Sequence, residues 1–330
     1  MRYPGRGRAP GASRIFVMIP SYRDVECQWT VRDLFERADR PGDVTVGICW
    51  QFDPAVDGDC FEIETRFDQV RTSFVHARHS RGLGWARAEA WKLWQGEEYV
   101  LQIDSHMRFA DGWDTKMLDE LAGCPSARPM LTTYPWPYTP PRELSEGPPP
   151  RMIPQRFTDD GVLVTHTTWD ADPALRATPA PHAFFAGGFA CARAQALLEV
   201  PHDPYIYFLG TEVSQAARLW THGWDFFAPT QSLVYHCYGA GRRKALHWEN
   251  NSGWSRIAAL SYRRLAHLLG AELVVDREAL ADLEQYGLGT VRSLEEYQEF
   301  AGVDFKARWI ASSASERRAD AGRRRPRERS

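Results

Sequence analysis

Apolar runs closed by polar residues recur through the first third of the chain. Residues 15–20 (IFVMIP), 44–50 (VTVGICW) and 99–103 (YVLQI) are continuous rather than alternating, the pattern of strands buried on both faces. After the first run, residues 21–24 read as a loop and Asp24 as the N-cap of a helix to about Ala38. That helix turns Val31, Leu34 and Phe35 to one side. Strand, helix and strand within about 35 residues make a βαβ unit, so the strands should run parallel. Residues 74–76 add a weak strand, and 85–94 read as helix, ended by Gly96. Asp111 opens a helix to about Ala122. Residues 130–134 and 184–191 read as strands, the second broken by Gly187-Gly188, a bulge or a close approach of backbone. A helix is expected from Glu212 to His222-Gly223, then a turn and a strand from Phe226 that ends in His236. Residues 252–269 are amphipathic, with Ile257, Leu260, Leu265, Leu268 and Leu269 near one face. Helical segments are also expected at 276–285 and 293–302.

The chemistry collects at strand ends, where open α/β sheets bind ligands. Asp104 and His106 follow the run 99–103 two positions apart and would project to the same side. One carboxylate oxygen and one imidazole nitrogen suit a divalent ion of the Mn2+ type. The same Asp-Ser-His also fits a turn with an Asx cap. A second strand-end histidine, His236, completes a possible three-ligand site with open positions, and Glu212 lies between in sequence. Gly82 and Gly84, and the basic Gly-rich stretch 237–244, would suit a phosphate-bearing ligand.

The stretch 135–154 holds eight prolines and no helical or alternating pattern, and is expected to be a long functional loop. The net charge of −3 hides an uneven distribution. Residues 1–14 carry four Arg and no acid, and residues 316–330 carry seven Arg against three acids, so the body between is strongly acidic. Both ends have the composition of disordered tails. An acidic body argues against a nucleic-acid-binding fold. No apolar run approaches the ~20 residues of a membrane span, and no signal peptide is evident. Six cysteines without CxxC or framework spacing suggest reduced thiols and a cytoplasmic setting.

Three stretches carry a resemblance. Arg81-Gly82-Leu83-Gly84-Trp85-Ala86-Arg87, then residues 96–109 with Gln102-Ile103-Asp104-Ser105-His106-Met107-Arg108-Phe109, then Leu131-Thr132-Thr133-Tyr134-Pro135, resemble the GlcNAc-transferase family. One of its members is a cytoplasmic enzyme that glycosylates hydroxyproline of a protein. The second half is similar to the polypeptide GalNAc-transferases, through Ala186-Gly187-Gly188-Phe189, Gly210-Thr211-Glu212, Arg218-Leu219-Trp220 and Val234-Tyr235-His236. The related family usually shows Gly-Glu-Glu where this chain has Gly210-Thr211-Glu212, a difference that bears on donor or acceptor preference.

The resemblance implies an α/β fold of the GT-A nucleotide-sugar type, with a mixed, mostly parallel sheet and C-terminal helices. Residues 14–250 would be the catalytic domain and 251–310 a helical extension, between a basic arm (1–13) and an Arg-rich tail (311–330). The implied reaction is a retaining, metal-dependent transfer from a UDP-sugar, GlcNAc foremost, to a Ser, Thr or hydroxyproline hydroxyl of a peptide or protein, or to a small molecule. Asp104, His106 and His236 would bind Mn2+, with Mg2+ as the alternative. Ser21, Tyr22, Arg23 and Gln51 would hold the uridine. Arg81, Arg87 and Ser105 would face the donor, and Gly187, Gly188 and Glu212 the transferred sugar. Tyr238 with Arg242 or Arg243 would close on the diphosphate. Two other readings compete: a sugar-binding scaffold without activity, and a non-haem iron oxygenase, which would need an all-β frame.

Overall fold

The computed structural model describes residues 13–60, 66–169, 177–239 and 245–312. The basic arm and the Arg-rich tail fall largely outside these, as do Arg242, Arg243 and Lys244.

The first half alternates as its apolar runs suggest. Strand β1 (Ile15–Tyr22), helix α1 (Cys27–Arg37), β2 (Val44–Phe52), β3 (Val70–His76), α2 (Leu83–Trp91) and β4 (Tyr99–Ile103) follow in order. β1 pairs in parallel with β2 and β4, and β2 with β3. The pleat of β1 serves two layers. Ile15, Val17 and Ile19 pack with Val31, Leu34 and Phe35 of α1, while Phe16 and Met18 face Ala86 and Ala90 of α2.

Then come β5 (Met107–Phe109), α3 (Trp113–Ala122), β6 (Pro129–Thr132), β7 (Trp136–Thr139), β8 (Glu143–Leu144), β9 (Arg151–Phe157), β10 (Leu163–Thr168), β11 (Ala180–His182), β12 (Phe189–Arg193) and α4 (Gln195–Glu199). After these are α5 (Thr211–Thr221), β13 (Asp225–Ala228), β14 (Val234–His236), α6 (His247–Asn250), α7 (Trp254–Leu268), α8 (Leu294–Ala301), β15 (Val303–Asp304) and β16 (Trp309–Ile310). The central sheet has eight strands in the order β11-β13-β6-β12-β4-β1-β2-β3. β12 runs antiparallel between β4 and β6; β6 and β13 are parallel. The sheet is thus mixed and mostly parallel, with helices packed on it, a frame incompatible with the all-β oxygenase. Leu265 and Leu269 from the α7 end of the chain, with Tyr297 and Phe305, share one core with Ala216 and Leu219 of α5 and Phe226 of β13.

Several boundaries differ from expectation, each for a visible reason. β1 runs on through Ser21 and Tyr22, because both pair with Trp50 and Gln51 of β2. Asp24 does not cap α1, which begins at Cys27; its carboxylate is engaged elsewhere. Residues 184–188 leave the ladder, since Ala186 N–H donates to Thr132 Oγ1 (2.9 Å) and Gly187 N–H to Glu212. The Pro-rich stretch is not a bare loop. It holds β7, which lies between β14 and β8 in a four-stranded sheet, β8 at that sheet's edge, and the start of β9, all of them short pairings. Residues 276–285 form turns instead of a helix, and the carbonyls of Ala279 and Ala281 accept from Arg264.

Candidate active site

Strand polarity assembles the site. β4 delivers Asp104 and then, in the next two positions, Ser105 and His106 before β5 begins. β14 pairs antiparallel with β5, placing His236 opposite Met107, and Cys237 N–H donates to the His106 carbonyl (3.1 Å). The two histidine rings meet edge to face with centroids 4.6 Å apart. One ligand atom each of Asp104, His106 and His236 lies within 4.8 Å of the others. His236 Nε2 is 3.2 Å from Asp104 Oδ2.

The donor set fits a divalent ion. His106 Nδ1 is held by Asp24 Oδ2 at 2.6 Å, so Nε2 is the nitrogen it would offer a metal, the carboxylate–histidine–metal arrangement. Burial by itself raises the Asp24 pKa, yet the bond and charge of His106, with Ser105 Oγ–H and Glu26 N–H, bring it below the ordinary carboxylate range. Burial also works to raise the pKa of Asp104; the bond to His236 and the charges of His236, His106 and Arg87 outweigh it and hold Asp104 low.

Beside this cluster lies a cavity of about 350 Å³. Because β12 is antiparallel to β4, its first residue, Phe189, stands beside Ile103 at the end of β4. The Gly pair just before it therefore abuts Asp104. A Cβ on Gly188 would lie 3.0 Å from Asp104 Oδ2, and one on Gly187 only 2.1 Å from an Arg87 amino nitrogen. Glycine is required here by the crowding of these side chains.

Arg87 and Glu212 form the wall facing Asp104. Arg87 is 2% exposed, lines the cavity and, among the described residues, has a single hydrogen bond, a long one to Thr211 Oγ1 (3.3 Å). Its Nε is buried without a partner among the described residues. Burial lowers the Arg87 pKa, against the pull of Asp104 and Glu212. A guanidinium kept this dry, with donors unused, is set for an anionic or hydroxyl-rich ligand. Glu212 opens α5, after Gly210 in the left-handed region (φ +97°). Its Oε1 accepts from Gly187 N–H (2.7 Å) and its Oε2 from Tyr134 O–H (2.5 Å). Burial raises its pKa, although those bonds and Arg87 oppose the rise.

Of the other residues singled out by sequence, Tyr22, Gln51 and Ser105 line the cavity. Gln51 is fixed by Ser80 Oγ (2.6 Å) and by the Ser21 carbonyl (3.1 Å). Ser21 is fully buried and does not line it. Arg23 turns away, forked onto Asp57 (2.7 and 2.9 Å) with one arm on Asn250 (2.9 Å). Arg81 is exposed outside the lining. Tyr238 packs its ring on His236 (4.1 Å) and donates to the Pro135 carbonyl (2.8 Å). Arg242 lies outside the described residues. Sequence reading missed Asp24 as the partner of His106, Tyr134 as the partner of Glu212, and the aromatic wall of Tyr207, His247 and Trp248. Asp24 had one signal: it follows the end of a strand adjacent to β4. Tyr207 and His247 had none, being joined only by the fold (Tyr207 Oη to His247 Nδ1, 2.7 Å).

All six cysteines are buried and unpaired in disulfides. Among the described residues no helix is long and apolar enough to cross a membrane.

The family model "Glycosyltransferase (GlcNAc)" matches residues 14–66 and 56–307. No curated protein matches the sequence. A solved structure of GalNAc-T7 with UDP, GalNAc and Mn2+ is similar at TM-score 0.57 and 14% identity, over 88% of this chain. The chain spans 57% of that structure's length. S. aureus TarS 1-349 matches at TM-score 0.45 and 12% identity, covering 93% of this chain and 78% of that one. The Pyrobaculum calidifontis mannosyltransferase PcManGT, with GDP-Man and Mn2+, matches at 0.44 and 13%, covering 95% and 76%. The likeness to GalNAc-T7 is one of fold, the GT-A architecture.

Proposed function

The chain belongs to the Glycosyltransferase (GlcNAc) family, and from that premise we propose that it moves GlcNAc from UDP-GlcNAc to a Ser, Thr or hydroxyproline hydroxyl of a peptide or protein, with retention at the anomeric carbon. The observation that carries the reading is the convergence of Asp104, His106 and His236 at one edge of a cavity whose other wall holds Arg87 and Glu212. Asp104, His106 and His236 would hold Mn2+, which supplies positive charge for a departing diphosphate.

The remaining work falls to side chains. Tyr22 and Gln51, at the carboxyl ends of β1 and β2, are suited to the uridine end. Arg87 adds a second positive charge on the donor side, where electrostatic stabilisation is worth most because water is excluded. As the bond from the anomeric carbon to the β-phosphate oxygen breaks, its electron pair stays on that oxygen. The acceptor hydroxyl bonds to the same face of the carbon, and its proton passes to the departing phosphate oxygen. The carbon gains oxocarbenium character in between. Glu212, aligned by Gly187 N–H and Tyr134 O–H, is suited to stabilise that charge or to orient sugar hydroxyls.

Calorimetric titration with UDP, then UDP-GlcNAc, with and without Mn2+, tests the reading without an acceptor. Binding that requires the metal is expected. Absence of binding under both conditions overturns it.

A further inference from the structure

One wall of the cavity is the loop from residue 203 to residue 210, between α4 and α5, and it brings Tyr207 and Phe208 to the lining. On its inner side it meets the start of α2. Leu83 N–H donates to the Tyr207 carbonyl (2.7 Å), and a Cβ on Gly84 would strike the carbonyls of Ile206 (2.2 Å) and Asp203 (2.7 Å). The loop therefore sets how closely α2, the helix bearing Arg87, approaches.

On its outer side the loop is held by α7. Ser261, fully buried, has its Oγ 3.0 Å from Tyr207 N and accepts that amide's hydrogen. Arg264 Nε is 2.6 Å from Asp203 Oδ2, and both side chains are 1% exposed. The same guanidinium donates from NH1 to the carbonyls of Ala279 (3.0 Å) and Ala281 (2.7 Å), and lies over the ring of Tyr205 at 4.8 Å. Leu265 fills the space against Gly210, where a Cβ would sit 2.8 Å from its Cδ2. A buried arginine spread over a carboxylate and two carbonyls is a tie with fixed geometry, which lysine cannot reproduce.

We propose that Ser261 and Arg264 are positioning residues for the donor cavity. Through them the chain beyond residue 250 sets the wall carrying Tyr207 and, across it, the helix bearing Arg87. In its ligand this inference rests on the donor reading above; in its mechanics it does not.

Ser261→Ala removes one hydrogen bond to the wall and leaves the metal cluster untouched. Amide exchange at Tyr207 and Leu83 should quicken. UDP affinity measured with Mn2+ should fall about fivefold, the effect of one net hydrogen bond, while affinity for Mn2+ alone stays unchanged. Arg264→Lys, which keeps the charge but loses the fork, should act in the same direction more strongly. Unchanged exchange at both amides in Ser261→Ala overturns the proposal. So does an equal loss of Mn2+ affinity, which would mark a general loosening. If wild-type protein does not bind UDP with Mn2+, the donor reading falls, and the exchange data still decide whether α7 holds the wall.

Discussion

Asp24→Asn isolates the support of one candidate metal ligand, His106, without changing the shape of the supporting side chain. The Asp24 carboxylate takes three donors: His106 Nδ1 and Ser105 Oγ on Oδ2, both at 2.6 Å, and Glu26 N–H on Oδ1 at 3.0 Å. An amide replaces one oxygen by a donor, and the residue is only 3% exposed, so water cannot repair the mismatch. If the NH2 faces Glu26, two buried donors oppose each other, at about 1–3 kcal/mol for each unsatisfied group. His106 then leans on a neutral oxygen and becomes a poorer ligand. If the NH2 faces His106, the ring keeps its bond only by moving its proton to Nε2, the nitrogen the metal needs. Both arrangements weaken metal binding. Loss of such a partner costs 10–100-fold in metal affinity, about 1.4–2.7 kcal/mol. Calorimetric titration of Mn2+ in the presence of UDP, on wild type and variant, measures it, and a thermal melt confirms the variant is folded. An affinity within about twofold of wild type would refute the reasoning, since His106 could then not ligate through Nε2.

Removing a ligand outright is a stronger perturbation: Asp104→Ala should abolish Mn2+-dependent UDP binding and His236→Ala should weaken it severely, with native circular dichroism in both; normal affinity in either would take that residue out of the metal site. Gly187→Ala forces a methyl against the buried Arg87, where a Cβ would meet NH2 at 2.1 Å and Cζ at 2.9 Å. A loss of about 1–3 kcal/mol in denaturant unfolding is expected from such overpacking; unchanged stability would mean that Arg87 has room to move. His182 is buried, with Nε2 2.8 Å from the Thr132 carbonyl, and burial pushes its pKa down to about 4. The folded chain keeps it neutral while the unfolded chain protonates near pH 6.5, so stability should rise with pH between about 4 and 6.5, by up to about 3 kcal/mol from this group. A His182→Asn variant should show a flatter slope, and an equal slope would exclude His182 as its source.

The frame was legible because the chain announces it locally. Continuous apolar runs in β1, β2 and β4, and helical spacing in α1, follow from residues that are neighbours in sequence. The convergence of the candidate metal ligands was legible in part for the same reason, since Asp104 and His106 sit at a strand end with the two-residue spacing of an extended chain. What stayed hidden depends on pairing between distant segments. β7 and β8 are too short and proline-flanked to show an alternating pattern, yet β14 on one side and β8 on the other supply the partners that make β7 a strand. Asp24 has the composition of a helix cap, and only the neighbouring end of β4 recruits it to His106. Residues 276–285 have helical composition, but a tertiary contact to Arg264 competes for their carbonyls.

Strand direction is the deepest of these hidden facts. The run 184–191 reads as a strand broken by glycines, and sequence gives no sense of its polarity within the sheet. Had it joined β4 in parallel, its far end would have met Asp104, and the glycines would lie at the opposite edge of the sheet. Reversed, its beginning stands at the site, and two residues without side chains occupy the gap between Arg87 and Asp104. The close approach allows the backbone of Gly187 to hold Glu212, and Arg87 to stay dry beside it. The antiparallel strand β12 in a mostly parallel sheet thus brings a cation, a carboxylate and the candidate metal ligands together around one cavity.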